Sequence, residues 1–214
     1  YAYLQILKQN GYGRISINPQ TLVDKSHEII RRNHTSGDII EIFNLAKGLN
    51  FDSINMDLIL GLPSEGIKEI SYTLDSLKAL SPDNITVHTL AVKTGSKFKE
   101  EVDKYNIEAS LVESQMKLVK DFMYAEKYIP YYLYRQKQSY GNLENIGYSR
   151  LDKECIYNVA MIEERETIIG VGMGAISKIY NKEDNIISRV PNYKSLDQYI
   201  NEVDVLLDRR NYIY

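Results

Sequence analysis

The chain has 214 residues, 43% of them hydrophobic, with 26 basic and 29 acidic side chains and a formal net charge of −3. That length suits one large domain or one and a half, and the mixed, slightly acidic charge lacks the basic face of a general nucleic-acid binder. No apolar run approaches the roughly 18 residues of a membrane span, no secretory leader is visible, and the single cysteine, Cys155, excludes an internal disulfide framework or a cysteine-rich metal site within this sequence. These absences fit a cytoplasmic protein with no membrane and no nucleic acid among its partners.

The first residues already read as a helix, Tyr3–Lys8, with no cap before it, and the last three residues carry no stop signal. A piece of a larger protein is expected. Gly11 or Gly13 ends the first helix. Arg14-Ile15-Ser16-Ile17-Asn18 alternates as a strand does, and Pro19 stops it. A helix over Asp24–Arg32 follows. Another starts near Ser36 or Asp38, carries Ile39, Ile42, Phe43 and Ala46 at helical spacing, and ends at Gly48 or Asn50.

Ser53–Leu60 is the most informative stretch. It is a continuous apolar run closed by Gly61-Leu62-Pro63, and it suits a parallel strand covered on both faces. Asp57 sits in its middle, where a carboxylate is costly unless paired. Either a neighbouring group merely satisfies it, or the chain uses it. A helix opens at Pro63-Ser64-Glu65 with Ile67, Ile70, Leu74, Leu77 and Leu80 as its buried stripe. Pro82-Asp83-Asn84 turns the chain into a third strand, Ile85–Leu90. Three strands with helices between them form repeated βα units and imply a parallel sheet. An open doubly wound sheet and part of a (β/α) barrel both fit.

Beyond Gly95 the pattern changes. Asn106–Tyr128 reads as one long helix. Short strand-like pieces rich in Tyr, Gly and Asn follow, then a glycine-rich segment, Gly170–Ser177, and a final helix over Ser195–Arg209. The boundary is set between a first region, residues 1–105, and a second, 106–214.

Ligands of parallel α/β folds bind outside the carboxyl ends of the strands. Gln20 follows the first strand, Asp57 lies on the second, Thr89–Ala91 close the third, and Arg32 ends the helix after the first. An amide, a guanidinium and a carboxylate suit a zwitterionic, ribose-bearing ligand. The plain alternative makes Arg32 a solvated helix end and Gln20 a turn residue. The glycine-rich segment has neither the P-loop ending nor the dinucleotide spacing; it either meets a ligand or lets backbone pack closely. His27, His34 and His88 are isolated in sequence, so no zinc site is expected, and His88 reads as a hydrogen-bonded interior or rim residue.

Arg14-Ile15-Ser16-Ile17-Asn18-Pro19-Gln20, Arg32-Asn33-His34-Thr35 and Ile54–Pro63, in this order and spacing, resemble the oxygen-independent coproporphyrinogen III oxidase family of radical S-adenosylmethionine enzymes. Tyr131-Tyr132-Leu133-Tyr134-Arg135-Gln136-Lys137 and Gly141–Tyr148 look like its coproporphyrinogen dehydrogenase branch. Gly170–Ser177 matches the glycine-rich segment of the same family. The resemblance implies an α/β fold: the last three βα units of a partial (β/α) barrel, then a smaller α+β region. It implies S-adenosylmethionine and a [4Fe–4S] cluster as cofactors, and a 5′-deoxyadenosyl radical that starts the oxidative decarboxylation of coproporphyrinogen III propionates to vinyl groups. Gln20, Arg32, Asp57 and Ala91 would contact a S-adenosylmethionine molecule, and Ile176 an adenosine-bearing ligand. The family's CxxxCxxC motif and its GGTP segment are absent from these 214 residues, and Cys155 cannot replace three thiolates. Related activities implied by the same resemblance are a haem-trafficking chaperone and a radical methyltransferase that opens haem.

Overall fold

A computed structural model describes residues 2–92, 105–137 and 139–211. By packing the chain divides into two compact units, Tyr1–Glu154 and Cys155–Tyr214.

In the first unit the expected elements fall close to their sequence signals. They are α1 (Ala2–Gln9), β1 (Arg14–Gln20), α2 (Asp24–Ile29), α3 (Ser36–Gly48), β2 (Ser53–Leu60), α4 (Ile67–Leu80) and β3 (Asn84–Thr89). Local chemistry sets several ends. Thr35 caps α3 in a reciprocal box: its hydroxyl accepts from the Asp38 amide, and the Asp38 carboxylate accepts from the Thr35 amide at 2.7 Å. Those bonds hold the Asp38 carboxyl below the usual carboxylate range. Ser81, in the left-handed region, ends α4. The helix read as running to Arg32 stops earlier, at Ile29, because Arg31 turns left-handed.

The strands β1, β2 and β3 pair in parallel, as the alternation of βα units implied. The chain then continues through α5 (Ala109–Ala125) into β4 (Ile129–Arg135) and β5 (Glu144–Ser149). Here β5 inserts antiparallel between β3 and β4, so the sheet order is β1-β2-β3-β5-β4. The division expected at residues 105/106 therefore differs from the packing. Val112, Met116, Val119 and Met123 of α5 share one core with Ile70, Leu74 and Leu77 of α4, and the first unit runs on to Glu154.

The sheet has two unlike faces. Ile54, Met56, Leu58 and Leu60 of β2, Ile85 and Val87 of β3, and Ile146 and Tyr148 of β5 point into the helices and are buried. The alternate residues build a polar face: Ser16 and Asn18 of β1, Asn55 and Asp57 of β2, Thr86 and His88 of β3. This corrects the expectation that β2 is covered on both faces, since its burial alternates residue by residue. At the amino end of this face the Arg14 guanidinium donates to Asn84 Oδ1 at 2.7 Å and to the carbonyls of Lys153 and Glu154, closing that end with fixed bonds.

The second unit holds α6 (Ile156–Glu163), a β6–β7 hairpin (Ile176–Asn181, Ile186–Pro191) and α7 and α8 (Leu196–Asn201, Val203–Asn211). The last helix expected from sequence is thus two, broken at Glu202.

Gly147 supplies a direct test of the packing. A Cβ there would stand 1.8 Å from the Tyr132 ring, which lies across the strand. Gly147→Ala is expected to cost about 1–3 kcal/mol through overpacking. Gly48→Ala, where the added carbon meets nothing, is expected to be neutral or to stabilise by up to about 1 kcal/mol. Denaturant midpoints of the two variants measure both.

Candidate functional site

The carboxyl edge of the three parallel strands carries most of the residues singled out by sequence. Gln20 is the last residue of β1, buried, and left-handed at φ 66°. A register shift lies between Ile17 and Gln20, so the edge of β1 bulges as it reaches Gln20. A non-glycine residue holds that backbone only under constraint. The constraint is His27 on α2. Its buried Nε2 faces the carbonyls of Pro19 and Thr21 at 3.0 and 2.9 Å, one on each side of Gln20. Two carbonyls on one nitrogen require that nitrogen to carry the proton. His27 therefore clamps the turn that presents Gln20.

Arg32 lies just past α2, with its amide donating to the His27 carbonyl at 2.9 Å and its side chain exposed. His34 stacks edge-on against His27 with ring centroids 5.0 Å apart. Burial first, then the charges of His27 and Arg32, press the His34 pKa down.

Asp57 projects from the polar face, with its side chain 19% exposed. Its partners are neither a backbone amide nor an arginine. Asn55 Nδ2 donates to one oxygen at 2.6 Å, and His88 Nε2 stands 3.6 Å from the other. Asn55 is itself held by Ser16 Oγ and by the Thr86 hydroxyl. His88 Nδ1 faces the Tyr134 hydroxyl at 3.5 Å. Tyr132 completes the group: burial pushes its phenol up to about 12, and the Asp57 charge adds to that shift. Each carboxylate oxygen has capacity for a further donor. Asp57 thus has fixed orientation and open acceptor sites, an arrangement suited to hydroxyl donors and to positive charge.

Ala91 follows β3 and bridges to Ser139, while Tyr140 donates its amide to the Leu90 carbonyl. Ile176 opens β6 in the second unit and is half exposed. The glycine-rich segment before it packs backbone on backbone: a Cβ on Gly170 would meet the Ile176 carbonyl oxygen at 2.7 Å, and Asn192 Nδ2 donates to the carbonyls of Gly170 and Gly172. Gln20, Asp57 and Ala91 thus sit at or near the ends of adjacent strands of one sheet; Arg32 follows the neighbouring helix; Ile176 belongs to the other unit. Among the described residues no group of three or more His, Cys, Asp or Glu side chains is placed to hold a metal ion. No described helix is long and apolar enough to cross a membrane.

Sequence reasoning passed over the supports. Asn55 is the residue two before Asp57, and strand periodicity alone puts it on the same face. Gln115 of α5 holds the loop after β2 from beneath: its Oε1 accepts from the Gly61 amide at 2.9 Å and its Nε2 donates to the Glu65 carbonyl at 2.8 Å. The Glu65 side chain is 3% exposed, and neither oxygen has a partner at hydrogen-bond distance. Burial raises its pKa, and the nearby Thr21 and Ser26 hydroxyls draw it only partly back.

These features define an α/β protein with a polar seat at the strand ends, and the matches to known proteins agree with its fold. The Radical SAM superfamily model matches residues 1–77. The oxygen-independent coproporphyrinogen-III oxidase-like protein HemZ of Bacillus subtilis is 41% identical over 199 residues, which are 92% of this chain and 39% of that protein. The heme chaperone HemW of the same organism is 32% identical over 95 residues, 44% of this chain and 25% of that protein. In fold, the chain superposes on the radical SAM enzyme HemN, the coproporphyrinogen III oxidase of Escherichia coli, with a TM-score of 0.70 at 22% identity, covering 95% of this chain and 46% of that one. The chain is thus similar to radical SAM proteins of the oxygen-independent coproporphyrinogen III oxidase-like group. It spans less than half the length of each of these three proteins.

Glu65 yields a pH prediction. Its folded pKa lies above the unfolded value near 4.5. Its contribution to stability is therefore full below pH 4.5 and is lost as pH rises through the folded pKa. Glu65→Gln, which keeps the shape without the charge, is expected to be more stable than the parent at pH 7–8. The difference should shrink toward pH 4. Urea midpoints across this range measure it, and a difference that grows on acidification contradicts the assignment.

Proposed function

We propose that the polar seat at the ends of β1–β3 binds the adenosyl and sulfonium parts of S-adenosylmethionine in a radical enzyme that oxidatively decarboxylates a porphyrinogen. The observation that carries this reading is Asp57. It is a carboxylate held by Asn55 on one oxygen and faced by His88 at 3.6 Å on the other, on the open face of a helix-backed sheet, beside the edge where Gln20 is presented by a clamped, left-handed turn. Asp57 accepts from ribose hydroxyls and attracts the sulfonium charge. Gln20 at the end of β1 offers an amide that can donate and accept, Ala91 leaves room at the end of β3, and the Arg32 guanidinium takes a carboxylate. Ile176 serves an adenosine-bearing ligand from the second unit.

The donor set fits this ligand and does not fit an iron–sulfur cluster. Cys155, half-buried before α6, is the one thiol of the sequence, and cluster ligation requires several. The cluster ligands of the proposed enzyme are supplied from outside these residues. Bound at such a cluster, S-adenosylmethionine supplies a carbon radical for hydrogen abstraction; the residues described here bind and orient it and keep one negative charge beside its sulfur.

The likeness to a heme chaperone supports a second reading, in which the same fold carries haem and oxidises nothing. The two readings separate in the full-length protein, incubated anaerobically with coproporphyrinogen III, dithionite and S-adenosylmethionine. Release of carbon dioxide is expected for the oxidase. Stoichiometric haem binding without carbon dioxide release favours the chaperone. For the seat itself, Asp57→Asn in the full-length protein is expected to weaken S-adenosylmethionine binding about tenfold or more, roughly 1.4 kcal/mol, with the iron–sulfur absorbance unchanged. Equal affinity in the variant removes Asp57 from the site.

A further inference from the structure

We propose that His88 sets the charge which the Asp57 seat presents to a cation: as neutral imidazole it leaves the carboxylate negative, and as imidazolium it cancels that charge. This rests on reading Asp57 as part of a seat for a positively charged adenosyl ligand.

Three side chains from three strands form the chain of contacts. Asp57 of β2 faces His88 Nε2 of β3 at 3.6 Å, and His88 Nδ1 faces the Tyr134 hydroxyl of β4 at 3.5 Å. An ionised carboxylate only accepts, so in the neutral imidazole the proton sits on Nε2, and Nδ1 accepts from the phenol. Both contacts are long for hydrogen bonds, so the coupling of His88 to Asp57 is chiefly electrostatic, and it depends on whether a second proton is present. The side chains remain open to water, 27% exposed for His88 and 19% for Asp57, so protons and ligand both reach the pair.

Among the described strand residues, no other charge on this face masks the effect. Toward His88, β2 presents Asp57 and β4 presents Tyr134 and Tyr132. The Tyr132 phenol, pushed up to about 12, stays neutral throughout the range in which histidines titrate. From β5 come Asn145 and Gly147. Arg14 shares the face, but it lies at the opposite end and is engaged with Asn84 and two backbone carbonyls. Among the described strand residues on this face, Asp57 is thus the single acid, and His88 is the single side chain whose ring can carry either one proton or two. By linkage a proton on His88 and a cation at Asp57 oppose one another, each weakening the other by the same factor. An uncharged ligand of the same shape escapes this competition.

Two probes separate charge from shape. Sinefungin carries an amine cation where S-adenosylmethionine has its sulfonium, and S-adenosylhomocysteine has an uncharged thioether there. Calorimetric titration of both into the full-length protein from pH 5.5 to 8.0 gives their affinity ratio. In the wild type the preference for sinefungin is expected to rise about three- to tenfold over this range, an order expected for one added charge near a solvent-exposed carboxylate. In His88→Asn, which keeps a donor beside Asp57 but cannot take a second proton, the ratio should stay flat; circular dichroism checks that the variant is folded. A ratio independent of pH in the wild type, with both ligands bound, overturns the role of His88 and leaves the seat standing. An equal rise in wild type and His88→Asn also overturns it. Absence of binding by either probe at every pH ends the seat itself and this proposal with it.

Discussion

The alternation of β2 is the constraint on which the site depends. Ile54, Met56, Leu58 and Leu60 are drawn into the helices by burial of apolar surface. Asn55 and Asp57 are thereby forced onto the other face, because successive side chains of a strand point in opposite directions. A slip of one residue against β1 or β3 would drive Asp57 among Leu74, Leu77 and Val119 and expose the apolar set. No hydrogen bond on the polar face could offset that loss. The register of the sheet, and with it the position of the carboxylate, is fixed by packing on the side opposite the chemistry.

Much of this was legible in the sequence where the cause is local. The ends of β2 follow from a bounded apolar run, readable within a few residues; the Thr35–Asp38 box that starts α3 is as local, although the sequence pattern alone put that start only near Ser36 or Asp38. The parallel pairing of β1, β2 and β3 follows from helices long enough to cross over. The insertion of β5 between β3 and β4 was not legible, since it pairs Val87 with Ile146 across 59 positions and has no local signal. Nor were the partners of Asp57. Asn55 could have been found from strand period alone, but His88 meets Asp57 only because β3 pairs with β2, and Tyr134 reaches His88 only from β4, on the far side of β5. Gly147 reads as an ordinary glycine until the Tyr132 ring is seen lying across it. In Gly170–Ser177 a motif-like run of glycines proves to serve backbone packing at Gly170, the alternative that sequence had left level with ligand contact.

Strain and its support are separated along the chain in the same way. Gln20 takes a left-handed backbone that a polar, unbranched residue tolerates at a cost of about 1–3 kcal/mol. The cost is met six to eight residues away, by a buried histidine bonded to the carbonyls on either side. His27 has no ligand-binding role in this arrangement. Its residue type matters because a single ring nitrogen can span two carbonyls while the rest of the ring packs against His34. A leucine there would fill the space and leave both carbonyls unpaired beneath the site, at a cost of about 1–3 kcal/mol for each buried group.

The charge on the polar face also bears on what the seat is for under the proposed reading. A porphyrinogen with propionate side chains needs cations, and among the described strand residues this face has only Arg14, whose guanidinium is already satisfied at the closed end. Asp57 would repel such a substrate. The same carboxylate attracts a sulfonium, and the neutral donors and acceptors around it, Asn55, Thr86, Tyr132 and Tyr134, fit sugar and base edges better than carboxylates. The two ligands of the proposed reaction carry opposite charges, so one surface cannot favour both. The sheet face described here has the sign and chemistry for the cationic cofactor, and the propionates require cations from elsewhere in the full-length protein.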